Sequence, residues 1–398
     1  MPHPTPDSGP PWHHAITLDL ILHLLSQTLF HPLPVTLIPL YNLALGHPPN
    51  SPRVIYPLLY ALLLGALRLL NHLNHRLAYG PPRTLNWDEE VIVITGGASG
   101  LGRIIAEIYG MRGASVAVLD IRQPSEEEVR ESEGLAGVKF YLCDVGDAEA
   151  VAKAKVQVEN DLGRVSILIN NAAAPVNGLP LLHLPPHLYQ KTINANLLSH
   201  FHTLHTFLPS LLSSNPKDPS PAQTHPTTTE TPIPTHTGGT IVTITSVLAH
   251  LGTATLADYT ASKAGLLALH ASLNAELQQN PPPKPTATSP QTPNLVKTIL
   301  VTPGQLSTPL FAGVQTPSNF LGPVVEVREL AKRIVAKVDS GMSGEVRAPG
   351  YCWGIEWMGV LPVGLRKVVR GLAGVDGAMA GFAGGRRGDG GGRAGKEE

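Results

Sequence analysis

Thr95-Gly96-Gly97-Ala98-Ser99-Gly100-Leu101-Gly102 stands directly after the β-branched run Val91-Ile92-Val93-Ile94 and opens a stretch, Leu101 to Arg112, with helical spacing of apolar residues. Strand, glycine turn and helix in that order are the start of a βαβ unit. Further short apolar runs follow at Ser115 to Asp120, Val138 to Asp144, Val165 to Asn170, Thr240 to Ser246 and Leu295 to Val301. Between them lie helical stretches at Ala148 to Leu162, Pro186 to Leu212 and Ala257 to Gln279, with another at Val327 to Val338. Runs that are apolar at consecutive positions belong to strands buried on both faces. Their alternation with helices predicts right-handed crossovers. The expected fold class is therefore α/β, a Rossmann-type doubly wound parallel sheet with helices on both faces.

The chain has 398 residues, 42% hydrophobic and 15% charged, enough for one full α/β domain with additional segments. A formal net charge of -1 supplies no field that would gather DNA or RNA, so no nucleic-acid partner is expected. Cys143 and Cys352 are the only cysteines and are far apart, and no Cys or His has metal-ligand spacing. Neither a disulfide nor a metal site is expected.

Residues 1 to 85 differ from the rest. Before Arg53 there is no Lys or Arg, and Ala15 to Leu45 and Val54 to Leu70 are dominated by Leu, Ile and Ala. Pro32, Pro34 and Pro39 break the first stretch, which favours a hairpin, a re-entrant or an interfacial segment over one straight span. The second approaches the ~20 residues that a bilayer span requires. Arg68 stands near its end and Arg76 and Arg83 follow it, and the positive-inside tendency would leave the α/β domain in the cytosol. A pair of helices buried against the domain is the alternative. Residues 86 to 375 then form the α/β domain, with polar insertions at 213 to 237 and 280 to 293, and the Gly/Arg-rich 376 to 398 reads as a disordered tail.

In a glycine turn before a helix, missing side chains let the backbone approach a phosphate, and the helix N-terminus offers unpaired N–H groups to its charge. Gly96, Gly100 and Gly102 carry that expectation here, flanked by Thr95, Ser99 and Leu101. Asp120 ends the second strand, where a carboxylate accepts hydrogen bonds from ribose hydroxyls and repels a 2'-phosphate. This favours NAD over NADP, although Arg122 can turn toward a phosphate. Asp144 and Val145 end the third strand on the adenine side, and Asn170-Asn171-Ala172-Ala173 makes a turn that suits backbone contact with the cofactor.

Tyr259 and Lys263 in Tyr-Thr-Ala-Ser-Lys are four apart on a helix and share a face. A nearby ammonium stabilises a phenolate and lowers the tyrosine pKa, which makes it a usable acid and base. Ser246 ends the strand upstream, at the edge where parallel sheets bind ligands, and can hold the reacting oxygen beside Tyr259. Alternatively it caps a turn.

With these motifs in this order, residues 88 to 350 resemble the short-chain dehydrogenase/reductase family. The resemblance implies a catalytic set of Ser246, Tyr259 and Lys263, with Lys263 bonding the nicotinamide ribose. It further implies an Asn that supports a proton-relay water, Asn196 in Asn-Leu-Leu-Ser-His-Phe, with Asn194 as the other candidate. Pro303-Gly304 and Thr308 resemble the segment that closes over the nicotinamide. Ala173 departs from the family's Asn-Asn-Ala-Gly turn and adds a methyl at the cleft. Thr245 to Gly252, Asp258 to Lys263 and the Trp-containing run Trp353 to Gly374 resemble a membrane-associated branch of retinol and hydroxysteroid dehydrogenases of the endoplasmic reticulum and lipid droplets. That resemblance implies a lipophilic alcohol or carbonyl substrate, which the apolar Val247 to Leu251 and Leu179 to Leu184 would suit. Homodimers through the helix carrying Tyr259 are common in the family. Two other readings stay open, an NADPH-dependent carbonyl reductase of secondary metabolism and a non-catalytic dinucleotide-binding membrane scaffold.

Overall fold

In the computed structural model the chain is described over residues 16–131, 133–135, 137–212, 238–279, 296–308, 314, 318–375, 377, 379 and 382. The insertions expected at 213–237 and 280–293, and nearly all of the tail 376–398, lie outside the described residues. Two compact units form, one of Met1–Pro81 with Ser318–Pro323 and one of Pro82–Pro317 with Val324–Glu398.

The second unit carries seven parallel strands in the order β3-β2-β1-β4-β5-β6-β7. They are β1 (Val91–Thr95), β2 (Ser115–Asp120), β3 (Val138–Leu142), β4 (Ile167–Asn170), β5 (Thr240–Ile244), β6 (Lys297–Pro303) and β7 (Gly344–Ala348). The helices of this unit are α4 (Gly100–Met111), α5 (Glu126–Glu131), α6 (Ala148–Leu162), α7 (Pro186–Ile193), α8 (Ser199–Leu212), α9 (Ala257–Gln279), α10 (Val327–Asp339) and α11 (Val363–Leu372). One face packs Ile92, Ile94, Val116 and Val118 against Ile105 and Tyr109 of α4 and Ile334 and Val338 of α10. The other packs Val93, Leu119 and Leu168 against Val151 and Val158 of α6 and Leu204 and Phe207 of α8. Helices thus cover both faces, and the strand order reverses between β1 and β4, where such sheets bind ligands.

Three details depart from the sequence reading. Strand β7 was not anticipated, because its buried and half-buried residues alternate around the charged Glu345 and Arg347 and it lacks the continuous apolar run of an inner strand. Strand β3 ends at Leu142, so Asp144 and Val145 sit in the turn beyond it. The helix expected over Pro186 to Leu212 is interrupted by a π-turn at Asn194–Leu198, a wide turn frequent at functional sites.

The α/β unit begins at Pro82, ahead of the expected residue 86, and Arg83 is part of its interior. Its guanidinium donates to both carboxylate oxygens of Glu90, at 2.7 and 2.8 Å, and to Thr240 Oγ1 at 3.4 Å. Ser166 Oγ donates to Glu90 and accepts from the Val91 N–H. This buried ion pair fastens the chain entry to the start of β1, β4 and β5.

The first unit contains α1 (Leu18–Gln27), α2 (Pro32–Ala44) and α3 (Pro52–Tyr79). His31 caps α2 by accepting from the Leu33 N–H, and Pro32 occupies the first helical position, where its missing donor costs nothing. The break between α1 and α2 bends the chain by 52°. Helix α3 has 28 residues and runs well past Leu70, the end of the apolar stretch. It is long and apolar enough to cross a membrane, with 11% of its most apolar window buried, whereas a core helix would be mostly buried. Val35 and Pro39 of α2 and Val54 and Ala61 of α3 are the buried residues of this pair, and Tyr60 Oη donates to the Leu29 carbonyl at 3.2 Å. The Leu18 N–H donates to the Phe320 carbonyl at 2.9 Å within the same unit.

Candidate active site

The glycine turn leaves β1 with Gly96 at φ +65° and Gly100 at φ +56°, a region that favours glycine. A Cβ on Gly96 would come within 2.7 Å of Ala172 Cα, and one on Gly102 would meet Gly96 O at 2.5 Å and Asn171 Nδ2 at 2.6 Å. These two glycines let α4 close onto β1 and β4. Gly100 is different, because the direction its Cβ would take is open for 4 Å. Thr95 Oγ1 accepts from the Asn171 and Ala172 N–H groups, while Asn171 Nδ2 donates to the carbonyls of Thr95 and Gly96. Thr95 and Asn171 therefore fasten the two strand ends together and hold the turn. Ser99 is the extended residue before α4 and makes no side-chain cap. Leu101 and Val145 are core residues, so only their backbone is available to a ligand.

Asp120 Oδ2 accepts from the Ala98 N–H at 2.9 Å and Oδ1 from the Arg122 N–H at 3.0 Å. Arg122 donates to the Ala98 carbonyl and to both oxygens of Glu128. The guanidinium that could have met a 2'-phosphate is already neutralised by a carboxylate. The Glu128 carboxyl is held below its usual range, first by its hydrogen bond from the Ser125 N–H and then by Arg122. Asp144 is exposed and accepts from the Gly146 N–H. Thr308 and Ser307, beyond β6, share with Gly100, Arg103 and Ile104 a cleft of about 360 Å³. Gly304 is required by its neighbours, since a Cβ there would meet Tyr351 Oη at 2.7 Å and Pro349 Cδ at 2.8 Å. Ala173 is exposed at the end of β4.

Tyr259 and Lys263 occupy consecutive turns of α9 and both are buried, with Lys263 Nζ 5.8 Å from the Tyr259 ring centroid. Ser246, just past β5, accepts from the Leu248 N–H at 3.2 Å and hydrogen-bonds the Tyr259 side chain. Ser246 thus caps a turn and also meets the tyrosine. Lys263 Nζ donates to the Ile244 carbonyl at 3.1 Å. Asn196, fully buried in the π-turn, accepts from the Ala174 N–H at 2.7 Å and donates to Ser262 Oγ at 3.1 Å. Asn194 is exposed, which separates the two candidates.

One electrostatic expectation is reversed. Burial pushes the Tyr259 phenol up to about 12, with the Ser246 hydrogen bond acting against it, and burial brings the Lys263 ammonium down to about 8. Removal of both groups from water is the dominant cause in each case. His200 is the site residue that the sequence reading passed over. It lies one turn beyond Asn196, is fully buried, and is held neutral down to about pH 3 by burial and by the Lys263 charge. Its position in Ser-His-Phe at i+4 from Asn196 was the available signal.

Asp258 was also missed. Buried in the first turn of α9, it accepts from Asn177 Nδ2 at 2.6 Å, Thr192 Oγ1 at 2.8 Å and the Tyr259 N–H at 2.8 Å. It ties α9 to α7 and to the chain beyond β4. Asp258→Ala is expected to cost about 2 kcal/mol, because it removes three hydrogen bonds to a buried carboxylate, although Thr192 Oγ1 keeps the Leu188 carbonyl and Asn177 Nδ2 keeps Thr192 Oγ1. A urea melt giving less than 1 kcal/mol would remove Asp258 from this role.

Glycine turn, carboxylate-ended β2 and a buried Ser/Tyr/Lys set, all at the carboxyl edge of one parallel sheet, define a dinucleotide-dependent oxidoreductase. Comparison with known proteins gives the same class. The family profile described as short chain dehydrogenase matches residues 90–218 and 224–317. The chain is 31% identical over 287 residues to human retinol dehydrogenase 10, covering 65% of this chain and 72% of that protein. It is 30% identical over 253 residues to human epidermal retinol dehydrogenase 2, covering 63% and 71%. Uncharacterized oxidoreductase TDA5 of Saccharomyces cerevisiae is 28% identical over 325 residues, covering 80% and 86%. The chain belongs to the short-chain dehydrogenase/reductase family, in its retinol dehydrogenase-like branch. It is an NAD(P)-dependent oxidoreductase.

Proposed function

We propose that this enzyme interconverts a lipophilic alcohol and its aldehyde or ketone at Ser246, Tyr259 and Lys263, with NAD as the preferred dinucleotide. The observation that carries the reading is the convergence of three buried polar side chains on one edge of the sheet, beside an apolar cluster. Val176, Leu256 and Tyr259 are buried together there, with Leu248, Met379 and Phe382 packed against them. A tyrosine surrounded in this way suits a carbonyl or alcohol on an apolar body. Of the stretches expected to line the substrate site, Val247 and Leu251 are buried, whereas Leu181 and Leu182 are exposed.

In this reading Ser246 Oγ holds the reacting oxygen and Tyr259 Oη exchanges a proton with it. Lys263 keeps a positive charge beneath the pair. Asn196 locks the π-turn of the neighbouring helix against α9 and supports the path to solvent. The dinucleotide, when bound, supplies the hydride donor or acceptor. Gly100 and the open start of α4 would take its pyrophosphate, Asp120 and Asp144 its adenosine end, and Pro303, Gly304 and Thr308 its nicotinamide end. The open space at Gly100 and the cleft shared with Thr308 fit such a group. The preference for NAD rests on Asp120 and on the pairing of Arg122 with Glu128. Asp120→Ser is expected to narrow the ratio of NAD to NADP kcat/KM by roughly tenfold or more. An unchanged ratio would remove Asp120 from the selection and favour the NADPH-dependent carbonyl reductase.

Residues 15 to 70, above all the apolar surface of α3, support association with a membrane of the endoplasmic reticulum or of lipid droplets, the catalytic unit facing the cytosol. The direct test of function is fluorescence titration of the full chain with NADH and NADPH, followed by NAD reduction with retinols, sterols and long-chain alcohols. Turnover of any of these establishes the substrate class. Dinucleotide binding without turnover across the panel favours the scaffold reading, and no binding at all overturns the assignment.

A further inference from the structure

Beside the Ser/Tyr/Lys set the interior holds polar atoms that no protein group answers. His200, in the first turn of α8, is 1% exposed, and neither ring nitrogen makes a hydrogen bond of ordinary geometry, the Ala172 backbone being the smallest of the influences on it. Asn170 is the fully buried last residue of β4. Its Oδ1 accepts from Thr203 Oγ1 at 2.8 Å, while its Nδ2 has no partner. Eight buried side-chain atoms among the described residues lack a partner, and three of them belong to these two side chains. Thr203 joins the pair, since its hydroxyl also lies 3.0 Å from the His200 carbonyl oxygen. Polar atoms left unmet in an interior are costly, and several of them at one place mark a site for ordered water.

We propose that His200 is a positioning residue for Lys263, and that together with Asn170 it holds an ordered water that bonds the Lys263 ammonium. The inventory of donors and acceptors calls for a water. Lys263 Nζ has three donors and no acceptor, one of the donors being directed at the Ile244 carbonyl at 3.1 Å. The free Asn170 group is also a donor only, so these two side chains cannot bond each other. A water accepts from both with its two lone pairs, and its own protons then need an acceptor. A neutral imidazole offers one ring nitrogen as acceptor and keeps the other as donor, whereas an imidazolium offers no acceptor. Burial and the Lys263 charge hold His200 neutral down to about pH 3, so the acceptor is present at every pH where the enzyme would work.

The neighbouring groups are already engaged. Asn196 accepts from the Ala174 N–H and donates to Ser262 Oγ, which leaves the His200 ring, one turn further on, with nitrogens free for a buried water. Tyr259 is bonded to Ser246, His270 to Thr243 Oγ1 at 3.0 Å, and Asp258 to Asn177 and Thr192. Lys263 is the one charge that bears on His200. The positioning role rests on the reading of Lys263 as the charge beneath the reacting pair; the water site does not.

Loss of the acceptor would leave the protons of the water unmet and weaken its bond to the ammonium, so Lys263 would give up its proton at lower pH. The test compares wild type, His200→Phe and His200→Gln as full chains in detergent. Phe keeps the bulk of the ring without a nitrogen, and Gln keeps one donor and one acceptor. The basic limb in the pH profile of kcat/KM for the dinucleotide is expected to move toward acid by about one unit in His200→Phe, a tenfold loss of proton affinity, and to return to within about 0.3 unit of wild type in His200→Gln. A residue that merely fills space would lower the melting temperature in His200→Phe without moving the limb. An unmoved limb in folded His200→Phe, or a limb moved equally by both variants, overturns the positioning role. A crystal structure of the wild-type chain at about 1.8 Å needs neither turnover nor a variant, and is expected to show one water within hydrogen-bond distance of a His200 ring nitrogen, Asn170 Nδ2 and Lys263 Nζ. A dry site, or a water on His200 that does not reach Lys263, overturns the proposal even where His200→Phe fails to fold. That water in a chain that turns over no alcohol would fault the reading of the reaction and leave the water site standing.

Discussion

Tyr259→Phe is expected to lower kcat by roughly 10³-fold while leaving NADH binding within a factor of two or so. The substitution removes one oxygen from a buried ring whose shape and packing against Val176 and Leu256 persist. The lost hydrogen bond is to Ser246, which keeps its bond from the Leu248 N–H, so stability should fall by no more than about 1 kcal/mol. Apart from Lys263 and Tyr259 itself, the groups expected to hold the dinucleotide stand at the end of β2 and in the chain just after β1, β3, β4 and β6. A variant retaining wild-type turnover would exclude Tyr259 as the proton-transferring group. Loss of both turnover and binding would mean that Tyr259 supports the cofactor site itself.

The same site gives a pH dependence with a defined sign. With Lys263 brought down to about 8, its ammonium is lost as pH rises through that value, and the Tyr259 phenol, at about 12, stays protonated. The kcat/KM for the dinucleotide in carbonyl reduction, which reports the free enzyme, should decline above pH 8. His200, neutral above about pH 3, and His270, held neutral above about pH 4 by burial, do not contribute to that limb. Lys263→Arg keeps its charge at every accessible pH, so the decline should vanish even though activity drops. Persistence of the limb in that variant would assign it to another group.

Glu90→Leu carries the largest expected effect on stability, a loss of about 3 to 5 kcal/mol of unfolding free energy. Arg83 and Glu90 are both almost completely buried, and removal of the carboxylate leaves a guanidinium without its counter-ion in the interior. The combined variant Arg83→Met with Glu90→Leu should be more stable than Glu90→Leu alone, because neither charge then remains to be desolvated. A single variant costing less than 1 kcal/mol in denaturant unfolding, or a double variant worse than the single, would show that the pair does not anchor the chain entry.

The sequence by itself determined the α/β alternation, because strands buried on both faces must be continuously apolar and helices covering them must be amphipathic. β1, β2, α6 and α10 follow directly from those runs. It also determined the glycine turn and the Tyr259/Lys263 spacing, since each depends on residues a few positions apart. Tertiary structure decided whatever depends on partners distant along the chain. Asp258 reads as an ordinary acidic first-turn residue until Asn177 and Thr192 meet it, and Arg83 as a flanking charge until Glu90, Ser166 and Thr240 surround it. Asn196 is named from its resemblance to a family stretch, but that it is buried while Asn194, in the same π-turn, is exposed is something apolar periodicity does not announce. The upward shift of the Tyr259 pKa and the unpartnered ring of His200 are likewise tertiary properties. Periodicity shows that a helix has two faces and a tyrosine has a lysine neighbour, but burial alone fixes which face meets solvent and which proton is held.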